Sequence, residues 1–528
     1  MTKLIILLIG FLIPSAKPCL PREALAKWGL PRDPISCLQS LPSLEPKLKF
    51  ANFFLRKPAL TEAIRLIDET KPLLPHLSYF LGTDKPAFGE AKPTTYLVLL
   101  QNNYELRANG GFFGSYAVAS TQPFSIRFQD IYVPDGALVG HVEPPAPIQT
   151  AFKQGWFKLR DADWEPDFPT AATTIRWFLT KGNEINPDFL ITLNLSTIEK
   201  IIAVLGDIYI PEYDLTLNHD NLYALLQNQS ELKAFEGSTQ KKDVITATGR
   251  AVIKKLSLLS GEAGSGSARK FDQYLQISQI LLDQLNRGNL LVNSTNSEIQ
   301  KLLEEKNWAG KLNSPPCEGG DKEGVSCLSD TTLLVETNLG ANKANCCVER
   351  KTVHTITKGE TEITHLLNLT LTNKSPLENP DPPRFYGGNY ISYLRFYLPE
   401  NATNIRLTAQ PTLPKTITQY PLPFDGINQK SFDLKNNYGF REVGFFHLTA
   451  AGTKSAVQLS YDLPLDNLGG YPISNYQLNI LKQHGLESSP QEINLFGVAS
   501  PTAGIASPTA GKSFSTPLET NFSENISL

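Results

Sequence analysis

Two short stretches hold the residue types that bind ions. The first is QNNYELRANGG, residues 101–111, directly after the apolar run TYLVLL. A guanidinium offers a planar fork of donors that matches phosphate or carboxylate, and glycines let backbone N–H groups come close to a ligand. Arg107 is therefore a candidate anion clamp, with Asn103, Glu105, Gly110 and Gly111 lining the same turn. The competing reading is that Glu105 and Arg107 pair with each other while the glycines only take positive φ. The second stretch is LRDADWEPDF, residues 159–168, where Arg160 sits among Asp161, Asp163 and Asp167. Hard cations bind several carboxylate oxygens, so Mg²⁺ or Ca²⁺ chemistry is the sharp reading. The plain one is that Asp167 caps the helix that follows.

Other chemistries find little support. The seven histidines are scattered, and there is no HExxH, GxSxG, Walker loop or GxGxxG after a strand. Ser115 in GGFFGSY resembles no nucleophile elbow and reads as structural. With 49 basic and 52 acidic residues, the net charge of -3 supplies no field for nucleic acid.

The elements around these stretches set the compartment and the fold. MTKLIILLIGFLIPSAKPC has a lysine, an apolar run from Leu4 to Ile13 and a small-residue break, the order of a secretory signal over residues 1–18. The run is shorter than the ~20 residues a membrane helix needs, so the expectation is an exported protein of the cell envelope or extracellular space, close to the membrane. Six cysteines agree with an oxidising compartment. Cys317 and Cys327 are expected to pair, while the neighbours Cys346 and Cys347 are expected to look to different partners.

After a Pro-rich segment and N-terminal helices (19–93), residues 94–312 alternate apolar strand runs with helical patterns, which predicts an α/β layered domain with a mixed sheet. Ser196 and Glu199 have the spacing of a capping box, and Gly206 that of a helix stop. Its C-terminal part, in KKDVITATGRAVIKKLSLL and KFDQYLQISQILLDQLNRG, is helical. A Cys-containing linker (313–332) leads to short alternating strands over 333–496, the pattern of an all-β sandwich. VASPTAG followed by IASPTAG marks residues 497–528 as a disordered tail.

LVLLQNNYELRANGGFFGSY, DIYVPDGALVGHVEPPAPI, LRDADWEPDFPTAA and INPDFLITLNLSTIEKIIAVLG together resemble a bacterial envelope family known as domain of unknown function 4012. LLVETNLGANKANCCVERK and ILKQHG resemble the β-rich part that accompanies it. That family is in turn distantly similar to the LytR-CpsA-Psr glycopolymer ligases. The likeness implies an α/β/α fold that binds a polyprenyl-linked pyrophosphate glycan and transfers it to the cell wall with Mg²⁺. Arg107 would match the arginine of those ligases' first loop, and Asp130 the aspartate after their third strand, these two being the implied catalytic pair. Arg127, Arg160, Lys241 and Lys242 would help to hold the phosphates, and Asp130, Asp161, Asp163 and Asp167 would supply metal ligands. The chain departs from the ligases in having LGD at Gly206 where they have a double glycine, and in placing Arg127 three residues before Asp130. The alternative is a non-catalytic envelope module that binds a glycan or acts in adhesion.

Overall fold

The computed structural model describes residues 45–46, 49, 58–83, 92–227, 240–259, 267–317, 326–377, 387–412, 432–465, 473–497 and 512–527. The expected leader and the heptapeptide repeat lie outside the described residues. Residues 1–101, 113–139 and 172–310 form one unit, and residues 102–112, 140–171 and 311–528 a second. The segment 94–312, read from sequence as one domain, thus contributes to both.

Aliphatic and aromatic runs make strands β1 (Thr95–Arg107), β2 (Gly110–Thr121), β3 (Phe124–Asp130) and β4 (Phe189–Asn194), which lie in the first unit except for the β1/β2 tip at 102–112. A small hairpin of β5 (Ile208–Ile210) and β6 (Leu215–Leu217) follows, then β7 (Val292–Ser294). The sheet order is β3-β2-β1-β4-β7, with β1 parallel to β4 and the β2/β3 and β4/β7 pairs antiparallel, the mixed sheet expected. Leu97 and Leu99 of β1 are fully enclosed, and the rings of Tyr96 and Phe80 each stack on Phe189 at 4.9 Å.

Helices α1 (Pro58–Thr70), α2 (Ala146–Phe152), α3 (Phe168–Lys181), α4 (Leu195–Leu205), α5 (Gln240–Leu259), α6 (Ser267–Asn286) and α7 (Ser297–Glu305) follow the apolar spacing. Helix α5 crosses β3 where Gly249 leaves room for the Phe128 ring, which lies only 2.2 Å from where a Cβ would stand. The expected capping box does not form. Helix α4 starts at Leu195 with Asn194 at its cap and no side-chain cap bond, which puts Ser196 inside the first turn. Gly206 does end α4, at φ 72°, donating its N–H to Ile202 at 2.8 Å.

The second unit is a sandwich of two six-stranded sheets. One has the order β12 (Thr403–Gln410), β15 (Lys454–Pro464), β10 (Glu362–Asn373), β9 (Val348–Lys358), β17 (Gln491–Phe496), β18 (Lys512–Thr516). The other runs β13 (Asp433–Asn437), β14 (Phe440–Thr449), β11 (Tyr390–Pro399), β8 (Ser326–Asn338), β16 (Ile473–Leu481), β19 (Phe522–Ser527). Leu328, Leu394 and Leu478 of one sheet and Ile356, Leu369 and Leu459 of the other share one core.

Two boundaries therefore move. Strand β8 begins inside the expected linker, and β18 and β19 take up residues read as disordered tail. Serine-rich alternation in KSFST and FSENIS looks like linker until β17 and β16 supply the ladder partners. Cys317 pairs with Cys327 as expected. Cys346 and Cys347 do not seek different partners but bond to each other, at the end of the 3-10 turn Ala344–Cys347.

A polar cluster fills part of the sandwich interior. His354 Nε2 and His365 Nδ1 lie 3.0 Å apart, the His365 ring stacks on Tyr461 at 4.3 Å, and Asp330 Oδ2 is 3.6 Å from His365 Nδ1 while accepting the Tyr476 hydroxyl. Burial pushes Asp330 up to about 7 and His354 down to about 3, and holds His365 well below the usual imidazole range. Below about pH 7 the Asp330–His365 contact is thus between neutral groups rather than an ion pair.

Candidate functional site

Strand β1 does not end near Leu100. It runs to Arg107, turns at Ala108 and Asn109, and returns as β2, so QNNYELR is strand rather than ligand loop. Period-two geometry puts Asn103, Glu105 and Arg107 on one face, and all three are buried. Arg107 is 4% exposed. Its guanidinium donates to Glu105 Oε1 at 3.0 Å and to the Asn338 carbonyl, and lies 5.5 Å from the Phe112 ring centroid and 5.9 Å from that of Phe152 in α2. The Gln483 amide donates to the Arg107 carbonyl at 3.1 Å and to that of Glu336 at 2.7 Å.

The adjacent glycines serve backbone contact. A Cβ on Gly111 would stand 2.3 Å from the Asn102 carbonyl oxygen, and one on Gly485 would stand 2.4 Å from Gly110 Cα. Asn109 bridges His484 in the closing LKQHG segment. Gly111→Ala is expected to cost about 1–3 kcal/mol of stability, because the obstacle is backbone that cannot rotate away. Chemical denaturation checks this, and a neutral result would contradict the packing role.

Beside the hairpin tip runs the acidic loop. Asp161 accepts from Gln154 at 2.9 Å and lies 3.8 Å from Arg160, which donates to Gln154 at 3.1 Å. Asp163 is 1% exposed and neither carboxylate oxygen has a hydrogen-bond partner. Burial pushes it up to about 7, opposed by Arg107 and reinforced by Asp161 and Glu105. A buried carboxyl that titrates near neutrality beside a guanidinium can hold or release a proton. Asp167 takes the capping role: it accepts from Thr170 N at 3.0 Å and Thr170 Oγ1 at 2.7 Å, and from Leu312 N at 2.9 Å.

The second unit thus gathers Asn103, Glu105, Arg107, Gly110, Gly111, Arg160, Asp161, Asp163 and Asp167. The other expected residues belong to the first unit. There Arg127 pairs with Glu184, and Asp130 Oδ1 accepts the Tyr132 N–H at 2.9 Å. Lys241 and Lys242 lie in the first turn of α5, their side chains outside the described residues. Among the described residues no group of three or more His, Cys, Asp or Glu comes together to hold a metal. The expected Mg²⁺ ligands Asp161 and Asp167 are engaged by protein donors, so the four aspartates do not fit the ion as a set.

Sequence reading missed the partners that enclose Arg107, notably Asn338 and Gln483, which no local pattern marks. It also passed over Trp156, which is 55% exposed in the loop after α2. Lys158 Nζ lies 5.2 Å from its ring centroid, and the His141 ring meets it edge-on at 6.0 Å. A backbone bond from Phe157 to Val142 of 2.7 Å holds the loop in place.

The chain therefore combines a mixed α/β layer with a β-sandwich, knit in the second unit around a buried charge cluster. Residues 91–230 match a family model described as a protein of unknown function (DUF4012). No curated protein matches the chain. A nutrient-binding protein of Legionella pneumophila, so described without proof of role, is similar at 8% identity and TM-score 0.25, covering 38% of this chain and 71% of its own. A Listeria innocua protein gives 13% identity and TM-score 0.23, covering 43% and 83%. An M1 zinc metallopeptidase of Deinococcus radiodurans gives 10% and 0.15, covering 34% and 42%. At these scores none bears on fold or activity.

Proposed function

We propose that this is an exported envelope protein that binds an anionic, phosphate-bearing glycan and does not transfer it. The observation that carries the reading is Trp156: a solvent-exposed indole flanked by Lys158 and His141 suits a sugar ring stacked on the aromatic face with its negative substituent beside the ammonium. The enclosure of Arg107 supports binding without turnover, since its donors already serve Glu105 and Asn338.

Trp156→Ala is expected to weaken the full-length protein's affinity for a phosphate-bearing glycan polymer about tenfold, the loss of one stacking contact of ~1.4 kcal/mol. Lys158→Ala should lower affinity for that polymer but not for its dephosphorylated form. Isothermal titration decides, and unchanged affinity in the Trp156 variant would remove the site.

Transfer is the second reading, favoured by Asp163, whose unpartnered oxygens and near-neutral titration are those of a proton-accepting group. Release of polyprenyl phosphate from a polyprenyl-pyrophosphate glycan, lost in Asp163→Asn, would establish it.

A further inference from the structure

We propose that Cys346–Cys347 is a redox-active pair whose reduction loosens the hairpin tip that carries Glu105 and Arg107. A bond between sequence neighbours closes a loop with no residue inside it, so it contributes little to stability through the unfolded chain; Cys317–Cys327, at a separation of 10, contributes more. Both sulfur-bearing residues are only partly buried, which leaves them open to an incoming thiolate.

What the bond holds is the turn that presents Asn345. The Asn345 amide donates to the Asn103 carbonyl at 2.7 Å, and its oxygen accepts from Arg350. Arg350 is fixed on Glu336 at 2.5 and 3.1 Å, and Glu336 also accepts the Tyr390 hydroxyl at 2.7 Å. On the other side of the pair, the Cys347 carbonyl accepts the Lys374 N–H at 2.8 Å. Asn103 lies on the strand that continues to Glu105 and Arg107. Opening the disulfide gives the turn back its torsional freedom, and Asn345 is the residue next to it.

The electron donor is a dithiol reductant of the exported compartment. Its thiolate attacks one sulfur, forming a mixed disulfide and releasing the other cysteine as thiolate. The reductant's second thiol then displaces the mixed bond, leaving as a disulfide. The pair has gained two electrons and takes up two protons.

The full chain is titrated with dithiothreitol, alkylated and mapped by peptide mass spectrometry, while hydrogen exchange is followed over residues 95–112. Cys346 and Cys347 are expected to become alkylated at about tenfold lower reductant than Cys317 and Cys327, with protection of the tip lost in step. A Cys346→Ser/Cys347→Ser variant should lack that protection without reductant; Cys317→Ser/Cys327→Ser should retain it. Should the double serine variant at the turn fail to fold, the dithiothreitol series on the unaltered chain decides alone. Free thiols at these positions in untreated protein, reduction after Cys317–Cys327, or tip exchange that ignores the state of the pair would each overturn the proposal.

Discussion

Arg107→Ala is expected to destabilise the protein by about 3–5 kcal/mol, because it leaves buried Glu105 and Asp163 without their positive neighbour. It also removes the donor to the Asn338 carbonyl and the cation between Phe112 and Phe152. Urea unfolding of the variant measures the loss. Replacing the pair together, Glu105→Leu with Arg107→Met, should recover the part that comes from Glu105, since two apolar side chains need no counter-charge. An anion clamp predicts otherwise: Arg107→Ala would fold with unchanged stability and lose only ligand affinity. That outcome would return the glycan site to the hairpin.

Asp330→Asn should change how stability depends on pH. Burial holds the Asp330 carboxyl protonated up to about 7 against an ordinary 3.8. Between those values the folded chain binds more protons than the unfolded one, so this group's contribution falls as pH rises and is fully lost above about 7. The gap corresponds to ~4 kcal/mol. Asparagine has the same shape and can still accept from Tyr476 but does not titrate. Relative to the unaltered protein, the variant should therefore gain up to ~4 kcal/mol on going from about pH 4 to about pH 9.

His354 works in the opposite sense: held down to about 3 from 6.5, it withdraws stability as pH falls below 6.5. The variant should retain this acid-side decline. Parallel stability curves for the two proteins would show that Asp330 is ionised in the interior and stabilised by something other than its neighbours here.

Much of the fold is legible in the chain. TYLVLL and FLITLN announce buried strands by apolar runs, and the alternation in EITHLLNLTLTN announces a sandwich strand. The hairpin tip is harder for a physical reason. In NYELR the alternation is present, but the side chains on the buried face are Asn103, Glu105 and Arg107, and polar residues on a strand normally face water. Their burial is made possible by Asn338, 231 residues away, and Gln483, 376 residues away, so no local window contains the answer. The double glycine illustrates the same limit. Composition announces a close approach at Gly110 and Gly111, but only the fold reveals that what approaches is the protein's own backbone.

Histidines 354 and 365 are eleven positions apart in sequence and become neighbours through the β9/β10 ladder, where register sets His365 opposite Ile356. Asp130 was aligned with Arg107 by likeness to another family. The two fall in different units, which separates the question of fold kinship from that of shared chemistry.

The two last strands have a consequence for how the protein is made. Strand β18 lies on the outer side of β17 in one sheet, and β19 on the outer side of β16 in the other. Until residues 512–527 have been synthesised, β17 and β16 are the outer edges of their sheets and present their unpaired hydrogen-bonding rims at once. In sequence those strands follow a run rich in proline, glycine and alanine, residues 498–511. A nascent chain held at that run would be a sandwich with β16 and β17 bare along their outer sides, so a chaperone that shields extended backbone is the helper this topology calls for during synthesis.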